Sequence, residues 1–503
     1  MSNLFDRLVG NTPDLSAIAI VNVDGRIYTY GDLFALSAQL AHVLVQQGVT
    51  PGDRVAVQVE KTVPALVLYL ATLRAGGVYL PLNTAYTLAE LEYFLNDSEP
   101  RLVICDPSSE NGIKVLASRI GADVLTLDQV GQGSLITQSA RQLKDFETSP
   151  RKGDDLAAIL YTSGTTGRSK GAMLTHDNLY SNAATLIDYW RFTSKDVLLH
   201  ALPIYHTHGL FVGTNVTFFS GASMIFLPKF DPDRIMDLMA GASCLMGVPT
   251  FYVRLLQHPK LDKSAVKNMR LFISGSAPLL ADTHREWQAK TGQAILERYG
   301  MTETNMNTSN PYDGDRVPGS VGFPLPGVSV RIAEPDTGQL LPEEEIGMIE
   351  VKGPNVFKGY WRMPDKTEAE FRPDGFFITG DLGKIDALGY VHIVGRGKDL
   401  IITGGFNVYP KEIESEIDAM QGVFESAVIG VPHPDFGEGV TAVVVRTQPE
   451  QIDENSIINA LQDRLAKFKQ PKKIIFVADL PRNTMGKVQK NLLRDQFSKL
   501  FAK

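Results

Sequence analysis

The stretch Tyr161 to Gly171, YTSGTTGRSKG, constrains this chain more than any other. It follows LAAIL, an apolar run of strand length, and precedes AMLTHDNLYSNAATLI, whose polar start and apolar spacing predict a helix. A loop rich in glycine, serine and threonine can wrap its N–H groups and hydroxyls around phosphate oxygens, and Lys170 adds a fixed positive charge. Gly164, Gly167 and Lys170 do not fit the GxxxxGK[ST] spacing, so this is not that phosphate loop. A lone glycine-rich string is more often a flexible connector. Connectors rarely follow a buried strand directly and end in a lysine and a further glycine, so a polyphosphate cradle is the stronger reading.

At 503 residues the chain exceeds one ordinary core, which predicts two or more units. Hydrophobic content of 44% and charged content of 21% are those of a globular protein. A formal net charge of -8 gives no support to nucleic-acid or membrane partners. Cys105 and Cys244 lie in the apolar runs LVICD and ASCLMGV, so buried free thiols and a reducing, cytoplasmic setting are expected. The start, MSNLFDRLVGN, has no basic region followed by an apolar core, and no run reaches the length of a membrane span.

Taken in order, GRIYTYGDLFALSAQLAHVLVQQGV reads as a strand and then a helix with Gly31 and Asp32 at its start. DRVAVQV, VPALVLYLATLRAGGVYLPLN and LEYFLNDSEPRLVICD continue the alternation that builds parallel sheets flanked by helices. After the phosphate loop, DVLLHALPIYHTHGLF joins an apolar strand to a histidine-rich turn, and LFISGSAPL ends in a small-residue ledge, Ser274, Gly275, Ser276 and Ala277, suited to a flat purine. ILERYGMTETNMNTS is another strand breaking into a turn, with Tyr299 as an aromatic face and Glu303 as a hard oxygen ligand. Between Gly347 and Val394, alternating strands and many glycines predict a small distorted barrel containing the turn DGFFITGDLG. Beyond GRGKDLIITGGFNVYPKEIE, helices and strands alternate in a unit of about a hundred residues, the size of a small domain.

YTSGTTGRSKG resembles the signature loop of the adenylate-forming superfamily, which includes acyl-CoA synthetases, and other motifs agree with it. The resemblance implies an α/β large N-terminal domain, of βα-layered subdomains plus the small barrel, over residues 1–395. It further implies a hinge at 396–400 and a small mobile α+β C-terminal domain over 401–503. It places ATP on Thr162, Ser163, Gly164, Thr165, Thr166, Gly167 and Lys170, with adenine along the 274–277 ledge and against Tyr299. Thr302 falls at the α-phosphate contact and Glu303 at Mg²⁺. Asp381 and Arg396 match the groups that hold the ribose, Lys398 the pivot, and Gly404 and Gly405 a contact to coenzyme A. Lys487, in PRNTMGKVQK, matches a catalytic lysine carried on the mobile domain, and a lysine so placed is a candidate for an acetyltransferase and deacetylase.

The implied chemistry joins a carboxylate to the α-phosphorus of MgATP, releases pyrophosphate, and then lets a thiolate displace AMP. Two anions must be brought together, so cations and oriented donors are needed and no protein nucleophile is. Threonine, asparagine, histidine and arginine around LPIYHTHGLF, TNMN and ADTHREW suit a small polar acid better than a fatty chain. Over its whole length the sequence most resembles malonyl-CoA synthetases, which implies malonate, with methylmalonate as a further substrate. His206 joins the pocket, Arg285 grips the distal carboxylate, and Thr207 and Met306 limit C2 substituents. An adenylation enzyme that loads another small carboxylate onto coenzyme A or a carrier protein would share every nucleotide motif.

Overall fold

The computed structural model describes every residue except 1, 13, 163–168, 404–405, 449–451, 463, 484–485 and 503. Among the described residues the strands form sheets of nine, six, five and four strands. The six-stranded sheet runs Asp123–Thr126, Leu102–Cys105, Arg54–Gln58, Val78–Pro81, Leu156–Thr162, Lys170–Thr175. All its pairs are parallel but the last. In the nine-stranded sheet the central strands, from Ile18–Asn22 through Ser223–Phe226, Val197–His200, Cys244–Gly247 and Leu271–Ser274 to Leu296–Met301, are also parallel. Short runs such as LVIC, CLMG and LFIS are buried along their whole length, as expected of parallel strands covered on both faces.

The helix Val63–Arg74, VPALVLYLATLR, is apolar almost all round, because the helices Tyr30–Gln46 and Leu4–Asn11 and the strand Val78–Pro81 pack around it. One continuous apolar cluster contains Val55 and Leu160 of the six-stranded sheet together with Leu198 and Met224 of the nine-stranded sheet. That shared core fixes the two sheets against each other. Cys105 and Cys244 are buried free thiols within it or beside it.

One local reading is corrected and another holds. The helix predicted directly after Gly171 starts only at His176, since Lys170–Thr175 first pairs antiparallel with Leu156–Thr162. Thr175 is its N-cap, exchanging hydrogen bonds with Asn178 in a capping box. The helix Tyr30–Gln46 has Gly31 and Asp32 at its start, as expected, and is capped by Thr29, whose hydroxyl accepts from the Asp32 backbone N–H.

The stretch expected as a distorted barrel is a four-stranded antiparallel sheet, Ser329–Ala333, Gly347–Lys352, Phe377–Ile385 and Val391–Arg396. The strands from Ile401 onward make the five-stranded sheet, and the two apolar clusters on its faces draw only on residues beyond 400. No helix among the described residues is long and apolar enough to cross a membrane.

The helix Ala281–Thr291 turns Thr283, His284, Trp287 and Thr291 into the core. Trp287 is fully buried, edge-on to Tyr252 at 5.1 Å and to Phe272 at 4.9 Å. Trp287→Ala is expected to cost about 3–5 kcal/mol, read as a lower denaturant midpoint of the unit that contains this helix. A loss below about 1 kcal/mol would show that these ring contacts do not anchor the helix.

Candidate active site

Residues at or just beyond the carboxyl ends of Val78–Pro81, Leu156–Thr162, Val197–His200, Leu271–Ser274 and Leu296–Met301 line one cavity of about 1000 Å³. Open α/β sheets bind ligands at this edge, where loops are free to present donors. The cavity's other wall comes from the four-stranded sheet and from Arg482, Asn483, Lys487 and Gln489.

Of the expected nucleotide residues, Thr162, Lys170, Ser276, Thr302, Glu303 and Arg396 line the cavity. Ser163, Gly164, Thr165, Thr166 and Gly167 lie outside the described residues, as do Gly404 and Gly405. Lys170 pairs with Glu370 at 3.0 Å and lies 4.0 Å from the centre of the Tyr360 ring. The Tyr360 hydroxyl sits between Glu370, at 2.6 Å, and Glu303, at 3.1 Å. Glu370 and Tyr360 are therefore part of the site, although nothing in AEFRP or FKGYW singled them out.

Tyr299 and Asp381 stand behind the lining and support it. Tyr299 is only 7% exposed and donates to Asp381 at 2.6 Å, while Arg396 donates to the other carboxylate oxygen at 2.7 Å. Asp381 lies within a strand, paired in register with Arg396, rather than in a tight turn. Burial, followed by the Asp381 charge, holds the Tyr299 phenol well above its usual range, so it acts as a neutral donor. On the ledge, Ser276 has φ +71°, a left-handed conformation that aims its side chain into the cavity wall beside His208. Ser274 and Gly275 are buried beneath it, and Ala277 is half-buried outside the lining.

The end of the cavity expected to take the acid is lined by His206, Thr207, Met306 and a residue the sequence reading passed over, Arg298. Arg298 is 3% exposed, and its Nε and Nη2 have no partner among the described residues. Burial pushes its guanidinium down to about 9. A Cβ on residue 275 would lie 2.4 Å from the guanidinium carbon, so Gly275 is the residue that admits Arg298. Burial pushes His206 down to about 4, helped by the nearby Arg298 and Lys487 charges, and burial likewise holds His208 well below the usual histidine range. Both histidines are neutral at physiological pH, which leaves Arg298 and Lys487 as the positive charges here. Met306 is 2% exposed, its backbone held on both sides by Asn182.

Arg285 is not brought to this cavity. It sits on the outer face of Ala281–Thr291 with 64% of its side chain exposed, paired with Asp282 at 2.6 Å. The inward face of that helix is taken by Trp287 and its neighbours, so residue 285 points away. The signal for Arg298 was a charged residue inside the apolar strand ILERYG, a position where arginine needs a partner or a purpose.

Lys487 reaches the cavity from a turn in which its N–H bonds to the Asn483 side chain and its carbonyl accepts from the Asn483 N–H. Burial, then the Arg396 charge, lowers its ammonium to about 8. Lys398, in the short turn Gly397–Asp399, also lines the cavity, and Asp399 beside it pairs with Arg494 at 2.8 Å.

Glu303 is the one expected metal ligand. It is 5% exposed, and among the described residues no cluster of three or more His, Cys, Asp or Glu side chains could hold a metal by themselves. One buried carboxylate in a cleft also lined by Lys170 and Thr302 fits Mg²⁺, which takes one or two carboxylates and completes its shell with phosphate oxygens and water.

Residues 5–361 match the model of the AMP-binding enzyme family, and residues 412–487 match the AMP-binding enzyme C-terminal domain. The crystal structure of ATP-bound MatB from Rhodopseudomonas palustris superposes with a TM-score of 0.98 at 69% identity, covering 99% of each chain. The apo structure of MatB from the same organism, with the same identity and coverage, gives 0.87. A malonate–CoA ligase of Arabidopsis thaliana is 34% identical over 94% of this chain and 85% of its own length. A large α/β unit whose strand ends frame a nucleotide-sized cleft, a smaller C-terminal unit that supplies Lys487, and these two matches over most of the sequence make the chain a member of the AMP-binding enzyme family.

Proposed function

We propose that this protein is an ATP-dependent malonate–CoA ligase. The observation that carries the reading is Arg298, a buried guanidinium without a counter-ion among the described residues at the acid end of the cleft. Leaving such a group unpaired is costly, and a carboxylate that pairs with two of its N–H groups removes the cost. An acid with one carboxylate for the reaction and a second for Arg298 is a dicarboxylate. Thr207 and Met306, each 2% exposed, close the pocket around the carbon between them and favour a short one. Similarity to a malonate–CoA ligase and to ATP-bound MatB supports the same substrates.

One malonate carboxylate oxygen attacks the α-phosphorus of ATP; the bond from that phosphorus to the bridging oxygen breaks, and pyrophosphate leaves with its electron pair. The thiolate of coenzyme A, its proton already lost to solvent, then attacks the acyl carbon of malonyl-AMP, and AMP leaves with the electron pair of the broken C–O bond. Lys170 and Thr302 orient the phosphates, Arg396, held from behind by Asp381, faces the ribose, and Lys487 spans the attacking carboxylate and the α-phosphate. Glu303 would hold Mg²⁺, which when bound would neutralise charge developing on the departing pyrophosphate. Lys487 belongs to the adenylating arrangement, so it leaves the cleft before the thiol enters, with Lys398 as the pivot.

AMP formation should require malonate, ATP and coenzyme A together, and a carrier protein should not replace coenzyme A. Arg298→Met should raise the KM for malonate at least about tenfold while that for ATP moves less than about threefold. Equal shifts would remove Arg298 from the acid site. Lys487→Ala should abolish malonyl-AMP formation and spare thioester formation from supplied malonyl-AMP; equal loss of both steps would refute the two-step role.

The pH dependence follows from the lowered Lys487 ammonium. Only the protonated form bridges two anions, so kcat/KM for the adenylation step should fall as pH rises through about 8. Bound anions favour the charged form, so the corresponding fall in kcat should lie at higher pH. A flat profile between pH 7 and 9.5 in stopped-flow pyrophosphate release would contradict the role.

A further inference from the structure

Behind the acid pocket, outside its lining, lies a buried lysine that none of the chemistry above uses. Lys61 is 9% exposed and has no carboxylate partner among the described residues. Its ammonium bonds to the His200 Nδ1 at 2.9 Å and to the His200 carbonyl at 2.8 Å, and it lies 4.3 Å from the centre of the Phe226 ring. Because Nδ1 accepts from Lys61, the His200 proton sits on Nε2, which donates to the Gly209 carbonyl at 2.9 Å. Thr214 Oγ1 donates to the same carbonyl at 3.0 Å.

Gly209 belongs to a π-helical turn, His208–Thr214, a rare geometry that recurs at functional sites. A Cβ at Gly209 would lie 2.1 Å from the Pro203 carbonyl oxygen, so the turn has no slack on that side. On the cavity side Thr207, just before the turn, and His208, its first residue, form the pocket wall. Lys61 comes from the loop that follows Arg54–Gln58 in one sheet, and His200 ends a strand of the other. The relay therefore ties the wall to both sheets at once.

A core that needed only volume at residue 61 would be served by methionine. A lysine there brings a desolvation cost that an apolar side chain does not, and it also sets the His200 tautomer.

We propose that Lys61 and His200 are positioning residues that hold the His206–Gly209 turn from behind and so set the fit of the acid pocket. This rests on the reading of that pocket as the seat of the acid. A wall displaced by a fraction of an ångström weakens binding of the acid, while the nucleotide contacts, built on other loops, stay in place.

The test uses the full-length protein with Lys61→Met, His200→Phe and His200→Gln, measuring pyrophosphate release with malonate and ATP varied separately. Lys61→Met and His200→Phe are expected to raise the KM for malonate about tenfold or more, with the KM for ATP within about twofold. Both should also narrow the preference for malonate over methylmalonate. His200→Gln keeps a donor facing the Gly209 carbonyl and should restore most of the malonate KM. The two KM values rising together, an unchanged malonate KM, or His200→Gln as impaired as His200→Phe would overturn the proposal. If Lys61→Met fails to fold, as judged by thermal melting with ATP, the two His200 variants decide. A wild-type protein that does not turn over malonate at all would instead refute the substrate assignment.

Discussion

A guanidinium buried in a protein interior must find a negative partner or impose a cost of several kcal/mol on the fold. Arg298 is in that position, with two nitrogens unpartnered and no carboxylate paired to it among the described residues. The surroundings are built to keep it so. Gly275 gives up its side chain to admit the group, and His206 and His208 are held neutral by burial. Glu297, next to Arg298 in the strand, is engaged by the Leu279 N–H and makes no ion pair with it. Strain tolerated in this way at one end of a cleft is a common signature of a binding site, where the ligand completes the network.

The cleft itself follows from the layering. Two parallel sheets locked by one apolar core bring their carboxyl ends to the same edge. The small unit beyond Ile401 closes the cavity with polar groups such as Lys487, Arg482 and Asn483.

Much of this was legible in the sequence, for physical reasons that can be named. Runs such as LVIC and LFIS are buried on both faces, so their composition alone marks them as strands. Glu303 and Lys487 stand in motifs whose residues combine chemistry with loop geometry, and both reach the cavity. What was hidden depends on tertiary packing. AMLT carries too few residues to choose between strand and helix, and the partner strand Leu156–Thr162 decides. Arg285 and Arg298 both follow recognisable stretches, but the direction of each is set by its neighbours. Trp287 claims the inner face of one helix, while strand alternation turns Arg298 into the cleft. Lys61 and His200 are far apart in sequence, and each alone reads as an ordinary polar residue.

The central claim is that the pocket is completed by a second negative charge. Its most direct test compares malonate with malonamic acid, which keeps the size and the reacting carboxylate but replaces the distal one by a neutral amide. The account predicts that kcat/KM in AMP release falls by at least about a hundredfold with the amide, at equal ATP and coenzyme A. Comparable turnover of the two acids would mean that Arg298 does not read the second carboxylate, and the malonate assignment would lose its physical basis.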